Sequence, residues 1–139
     1  MSIILNAPET TNWSRKTILV VDDDDSSRIL MEEILEITLV KVRFATNGAE
    51  AVQMCKSEYL DLVLMDLHMP VMDGYKATKV IKTILPDLPV IAVSACAFVI
   101  DKERCMEAGC IDYISKPIEI NRLIEKIAGY LCLDESVWS

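Results

Sequence analysis

The sequence predicts an α/β fold: a five-stranded parallel sheet with helices on both faces. Three observations lead there. From Thr17 onward, five short runs rich in Ile, Val and Leu alternate with segments of helical period, the pattern of repeated βα units. Most of the runs are nearly continuous in apolar residues, as strands covered on both faces must be. Finally, Asp22-Asp23, Asp66, Ser94 and Lys116 each stand where a run ends. A parallel sheet would gather them beyond the carboxyl ends of its strands, where open α/β sheets place their ligand sites.

In chain order, the strand candidates are Thr17–Val21, Val42–Ala45, Leu62–Met65, Pro89–Val93 and Ile111–Ser115. The first helix is expected from about Ser26 to Thr38, with Leu30, Ile34 and Ile37 as its core stripe. Asn47-Gly48 reads as the turn and cap opening the second helix, and Asp73-Gly74 as the opening of the third. Gly109 fits the residue just past the fourth helix, where a left-handed backbone is common. The start of that helix is poorly marked, because Ala95 to Ile100 is apolar throughout. The last helix is the clearest: Ile120, Leu123, Ile124, Ile127 and Leu131 follow the i, i+3, i+4, i+7, i+11 spacing of a core-facing stripe.

Composition narrows the function classes. A chain of 139 residues with 52% apolar residues is long enough for one core and too short for two domains. Three segments follow: a flexible extension at 1–15, from which Trp13 is expected to dock on the body, a folded body at 16–133 and a tail at 134–139. No stretch approaches ~18 uncharged apolar residues, so no membrane span is expected. The triplet Ile3-Ile4-Leu5 lacks the flanks of a secretory signal. Five cysteines with no C-x-x-C spacing read as reduced core thiols in a cytoplasmic protein. A formal charge of −8 disfavours direct nucleic-acid binding, which draws on lysine and arginine.

The clustered residues suggest a chemistry. Carboxylates crowded together raise one another's pKa unless a cation neutralises them. Mg²⁺ prefers oxygen ligands and is usually held by one or two carboxylates together with phosphate oxygens. The cysteines and the single histidine lack zinc spacing. The outline is that of a magnesium and phosphoryl site.

With the units placed, the sequence closely resembles the receiver domains of two-component response regulators. The motifs are ILVVDDD at Ile18–Asp24, DLVLMDLHMPVMDG at Asp61–Gly74, PVIAVSA at Pro89–Ala95 and DYISKPI at Asp112–Ile118. They span about Lys16 to Leu133. The resemblance implies a doubly wound, flavodoxin-like sheet of strand order 2-1-3-4-5. It implies that Asp66 accepts a phosphoryl group from a histidine kinase or histidine phosphotransfer protein. Asp22 and Asp23, with Asp66 and the backbone carbonyl of His68, would hold Mg²⁺. Ser94 and Lys116 would each contact a phosphoryl oxygen, and Ser94 and Tyr113 would form the switch, reported on the surface from Phe98 to Ile114. It also implies a cis Lys116-Pro117 bond, and it is compatible with a phosphorylation-dependent homodimer. The stretch Glu103 to Gly109 is similar to receivers of hybrid sensor kinases and phosphorelays. A stand-alone receiver and a piece of a hybrid kinase both fit. Two features depart from relatives: Asp25 where proline is frequent, giving four consecutive acids, and His68 and Cys96 at positions that tune rates in the family.

Plainer readings exist for single residues. Asp22 or Asp23 could be helix caps, Lys116 a surface lysine, the His68 side chain a solvated loop group and Tyr113 a strand-end core residue. Met65, Met69 and Met72 read as packing for the loop around Asp66. Two other functions stay open. Asp22-x-Asp24-x-Ser26 loosely imitates the motif of haloacid-dehalogenase-type phosphatases, with Asp22 as nucleophile. A receiver-like scaffold independent of phosphorylation is the other.

Overall fold

The computed structural model describes residues 12–95 and 99–131. The triplet at Ile3, most of the 1–15 extension, Cys96, Phe98, Cys132 and the 134–139 tail lie outside them. The elements run β1 (Thr17–Val21), α1 (Asp25–Glu36), β2 (Lys41–Ala45), α2 (Gly48–Ser57), β3 (Leu62–Asp66), α3 (Gly74–Ile84), β4 (Val90–Ser94), α4 (Val99–Ala108), β5 (Asp112–Ser115) and α5 (Ile120–Leu131). All strands are parallel, in the order β2-β1-β3-β4-β5.

Period-2 alternation divides each central strand between two cores. Ile18, Val20, Leu62, Leu64, Ile91 and Val93 pack with Met31, Ile34 and Leu35 of α1 and with Leu123, Ile124, Ile127 and Leu131 of α5. Leu19, Val21, Val63, Met65, Val90 and Ala92 face Ala51, Val52 and Cys55 of α2, Ala77 and Ile81 of α3, and Cys105 of α4. Helices on both faces explain why β3 and β4 are buried at every position, whereas the edge strand β2 is not.

Capping follows the sequence closely. The side chains of Asp24, Asn47 and Asp73 accept from the backbone N–H of Ser27, Glu50 and Lys76 at the starts of α1, α2 and α3. After α4, Gly109 takes φ 115°, and the N–H groups of Gly109 and Cys110 donate to the carbonyls of Met106 and Cys105. This double bond pattern closes a helix on a left-handed residue. The Lys116-Pro117 bond is cis.

The stripe on α1 differs from expectation. Met31, Ile34 and Leu35 are buried, while Leu30 is 49% exposed and Ile37 only half-buried. Apolar residues occur almost all round this helix, so spacing alone does not fix which side faces the sheet. Trp13 belongs to the body: it is 4% exposed in the α1/α5 core, and its backbone N–H donates to the Thr38 carbonyl. Among the described residues, no helix is long and apolar enough to cross a membrane.

Candidate functional site

The register of the sheet brings the strand ends into line. Val21 pairs with Ala45 and Met65, Asp66 with Val93, and Ser94 with Ser115. The residues that follow β1 and β5, and those that finish β3 and β4, therefore meet at one edge. Asp66 and Ser94 are the last residues of their strands, one residue further into the ladder than the sequence pattern suggested.

Asp22, Asp23 and Asp66 each offer a carboxylate oxygen, all within 4.8 Å of one another. Asp22 and Asp66 are buried and Asp23 is exposed. Asp22 is pinned from several sides. Its N–H donates to the Ala45 carbonyl, Oδ1 accepts from the N–H of Asp24 at 2.9 Å, and Oδ2 lies 3.2 Å from Lys116 Nζ. Asp66 Oδ1 accepts from the N–H of His68 at 3.2 Å. Burial is the main reason that the Asp66 carboxyl is pushed up to about 6. The His68 N–H opposes the shift, the neighbouring Asp22 adds to it, and Lys116 and Asp23 act more weakly in opposite directions.

The donor set fits a hard divalent cation. It is all oxygen, strongly anionic and lightly provided with counter-charge, the combination that Mg²⁺ and similar ions satisfy and that softer metals do not require. The loop after Asp66 is held by packing. Met69 and Met72 join the α2/α3 core, and the N–H of Gly74 donates to the Leu67 carbonyl. Gly74 itself has no room for a side chain, since a Cβ there would lie 2.2 Å from the Asp66 carbonyl oxygen.

Ser94 is fully buried, and its carbonyl accepts from the N–H of Lys116. Tyr113 is 9% exposed, with Lys102 Nζ 5.6 Å from the centre of its ring. The His68 side chain is exposed, and its ring meets that of Tyr75 edge-on at 6.1 Å.

Three residues beside the site escaped the sequence reading. Arg28 donates to the Asp22 carbonyl at 2.7 Å and pairs with Asp25. Tyr75 donates to Asp101 at 3.2 Å. The Asp25/Arg28 pair had a signal, since oppositely charged residues three apart on a helix are neighbours. Nothing local announced that Tyr75 would reach α4.

Residues 18–128 match the family model of the response regulator receiver domain. The chain belongs to that family. As a receiver it is part of two-component signalling, and this membership displaces the phosphatase reading that made Asp22 the nucleophile. Among similar proteins, the polar-differentiation response regulator DivK of Brucella anthropi is 37% identical over 118 residues, covering 84% of this chain and 96% of DivK. The receiver domain of the Pseudomonas aeruginosa sensor histidine kinase PA1611, solved with a magnesium ion in its active-site cleft, superposes with a TM-score of 0.79 at 31% identity. That match covers 84% of this receiver and 97% of the other chain. The receiver of Saccharomyces cerevisiae Ssk1, solved with the histidine phosphotransfer protein Ypd1, gives a TM-score of 0.80 at 27% identity, covering 86% and 90%.

Proposed function

We propose that Asp66 is the phosphoryl acceptor of this receiver, charged by a histidine kinase or histidine phosphotransfer protein, with Mg²⁺ held by Asp22, Asp23, Asp66 and the backbone carbonyl of His68. The observation that carries the reading is the meeting of three carboxylates and the Lys116 ammonium at one sheet edge, with Asp66 buried at its centre. The magnesium of the Pseudomonas receiver and the phosphotransfer partner of the yeast receiver support extending both roles to this chain.

In the transfer, an Asp66 carboxylate oxygen forms the new bond to phosphorus as the P–N bond to the donor imidazole breaks, its electron pair remaining on nitrogen. Bound at the acids, Mg²⁺ supplies positive charge for the phosphoryl oxygens. Asp22 orients that ion because its own carboxylate is fixed by the Asp24 N–H and by Lys116. Lys116 moves part of its attraction from Asp22 to a phosphoryl oxygen, and the Ser94 hydroxyl donates to another.

The switch runs through Ser94 and Tyr113. Because Tyr113 is buried here, phosphorylation holds an inward ring in place rather than drawing an outward one in. The retained acids and lysine favour this cycle over a phosphorylation-independent scaffold. A cytoplasmic site of action accords with the buried free thiols of Cys55, Cys105 and Cys110. Pairing of two phosphorylated copies belongs to the same reading and would show as a larger particle on sizing.

Phosphotransfer tests the proposal. A phosphohistidine-loaded phosphotransfer protein should pass its label to the wild-type chain in Mg²⁺, as a hydroxylamine-labile acyl phosphate. Asp66→Asn should receive none. Equal labelling of the variant would overturn the assignment.

A further inference from the structure

Arg28 lies on the first turns of α1, and only 18% of its side chain is exposed. One arm of its guanidinium, Nη1, donates to the backbone carbonyl of Asp22 at 2.7 Å, and the other, Nη2, pairs with the Asp25 carboxylate. Both ends of the four-acid run Asp22–Asp25 are thus tied to one side chain. The rest of Asp22 is fixed by groups outside α1 or next to it: the Ala45 carbonyl, the Asp24 N–H and Lys116. The bond from Arg28 is what ties the Asp22 main chain to the helix that begins three residues later.

We infer that Arg28 is a positioning residue for the metal site, its forked guanidinium holding the β1–α1 turn so that Asp22 and Asp23 present their carboxylates together. The inference rests on the proposed role of these acids in binding Mg²⁺. Consecutive carboxylates repel, which disfavours a turn that carries four of them. Asp25, with its carboxylate side chain 85% exposed, meets the guanidinium on one arm, and what the other arm gives Asp22 is a directed bond to its carbonyl. A planar fork that serves two acceptors in fixed directions is something lysine cannot reproduce, despite its equal charge.

Two variants separate position from charge. Arg28→Lys keeps the charge and loses the fork; Arg28→Gln loses both the fork and the charge. Titrate each folded protein, checked by its thermal transition, with Mg²⁺ alone and follow amide shifts around Asp22 and Asp66. Both variants should bind Mg²⁺ about tenfold more weakly than wild type, the lower end of what is lost when an outer partner of a metal ligand is removed. At saturating Mg²⁺, labelling by acetyl phosphate should recover most of the wild-type rate. The inference is overturned if Arg28→Lys binds like wild type and Arg28→Gln binds more tightly, the pattern of a simple counter-charge. It is equally overturned if only the thermal transition moves. Failure of the wild-type protein to bind Mg²⁺ would instead remove the metal-site reading on which the inference stands.

Discussion

The ammonium of Lys116 lies 3.2 Å from Oδ2 of Asp22, so it pairs directly with one of the acids proposed to hold Mg²⁺. Its charge is thereby held inside the pocket by a group that a cation can relieve. Asp22 is 9% exposed at its side chain and Lys116 28%, so solvent screens the pair only partly. Lys116→Met leaves a nearly buried carboxylate short of a partner. It should lower stability in metal-free buffer by about 1–2 kcal/mol, measured by urea denaturation, and the deficit should shrink when Mg²⁺ is added. An unchanged urea midpoint without metal would show that the pair contributes nothing to the resting fold.

Asp66 gives a pH dependence of defined sign. Its carboxyl sits at about 6 in the fold against 3.8 for the ordinary group, so the native state holds the proton more tightly than the unfolded chain. Its contribution to stability is complete below pH 3.8 and is lost as pH rises through 6. In chelator at pH 7, Asp66→Asn should therefore be more stable than wild type by about 2 kcal/mol, allowing for partial relaxation around the charge. The gain should vanish near pH 4. A variant less stable than wild type at pH 7 would mean that the burial of Asp66 is fully compensated.

Two glycines should respond in opposite directions. A Cβ at Gly74 meets the Asp66 carbonyl oxygen at 2.2 Å and the Leu67 Cα at 2.7 Å, both backbone atoms that cannot step aside. Gly74→Ala should cost about 2–3 kcal/mol and shift the Asp66 and Leu67 amides. Gly129, in α5, has nothing within 4 Å of an added Cβ, and Gly129→Ala should stabilise by about 0.5–1 kcal/mol. Urea midpoints decide both.

Tyr75 links the first turn of α3 to α4. Its hydroxyl donates to Asp101, which is 9% exposed, and the Arg104 guanidinium lies 4.0 Å from the centre of its ring. Burial, followed by the bond to Asp101, pushes the phenol up to about 12, so it remains a donor at neutral pH. Tyr75→Phe should destabilise by about 1–3 kcal/mol, because Asp101 keeps its burial and loses a donor. Faster amide exchange should be concentrated in Val99–Ala108. Exchange unchanged in α4 would rule out the link.

The strands were legible because cover on both faces leaves continuous apolar runs, and the site was legible because chemistry-bearing residues ended those runs. α1 was harder: Ile29, Leu30, Met31, Ile34, Leu35 and Ile37 leave several candidate faces, and only packing into the core shared with the sheet and α5 selects Met31, Ile34 and Leu35. Lys116 was placed at the site by its position after β5, but its preference for Asp22 over Asp66 depends on side-chain reach. The contacts of Arg28 with the Asp22 carbonyl, and of Tyr75 with Asp101 26 residues away, depend on tertiary approach that no local spacing encodes.

The central claim, that Asp66 alone accepts the phosphoryl group, is tested most directly by intact mass. Wild type and Asp66→Asn are each incubated with acetyl phosphate, with Mg²⁺ and with chelator. A single phosphoryl adduct is expected only on wild type with Mg²⁺, and peptide mapping should place it at Asp66. An adduct that persists on Asp66→Asn and maps to Asp22 or another residue, or one that forms equally in chelator, would contradict the account.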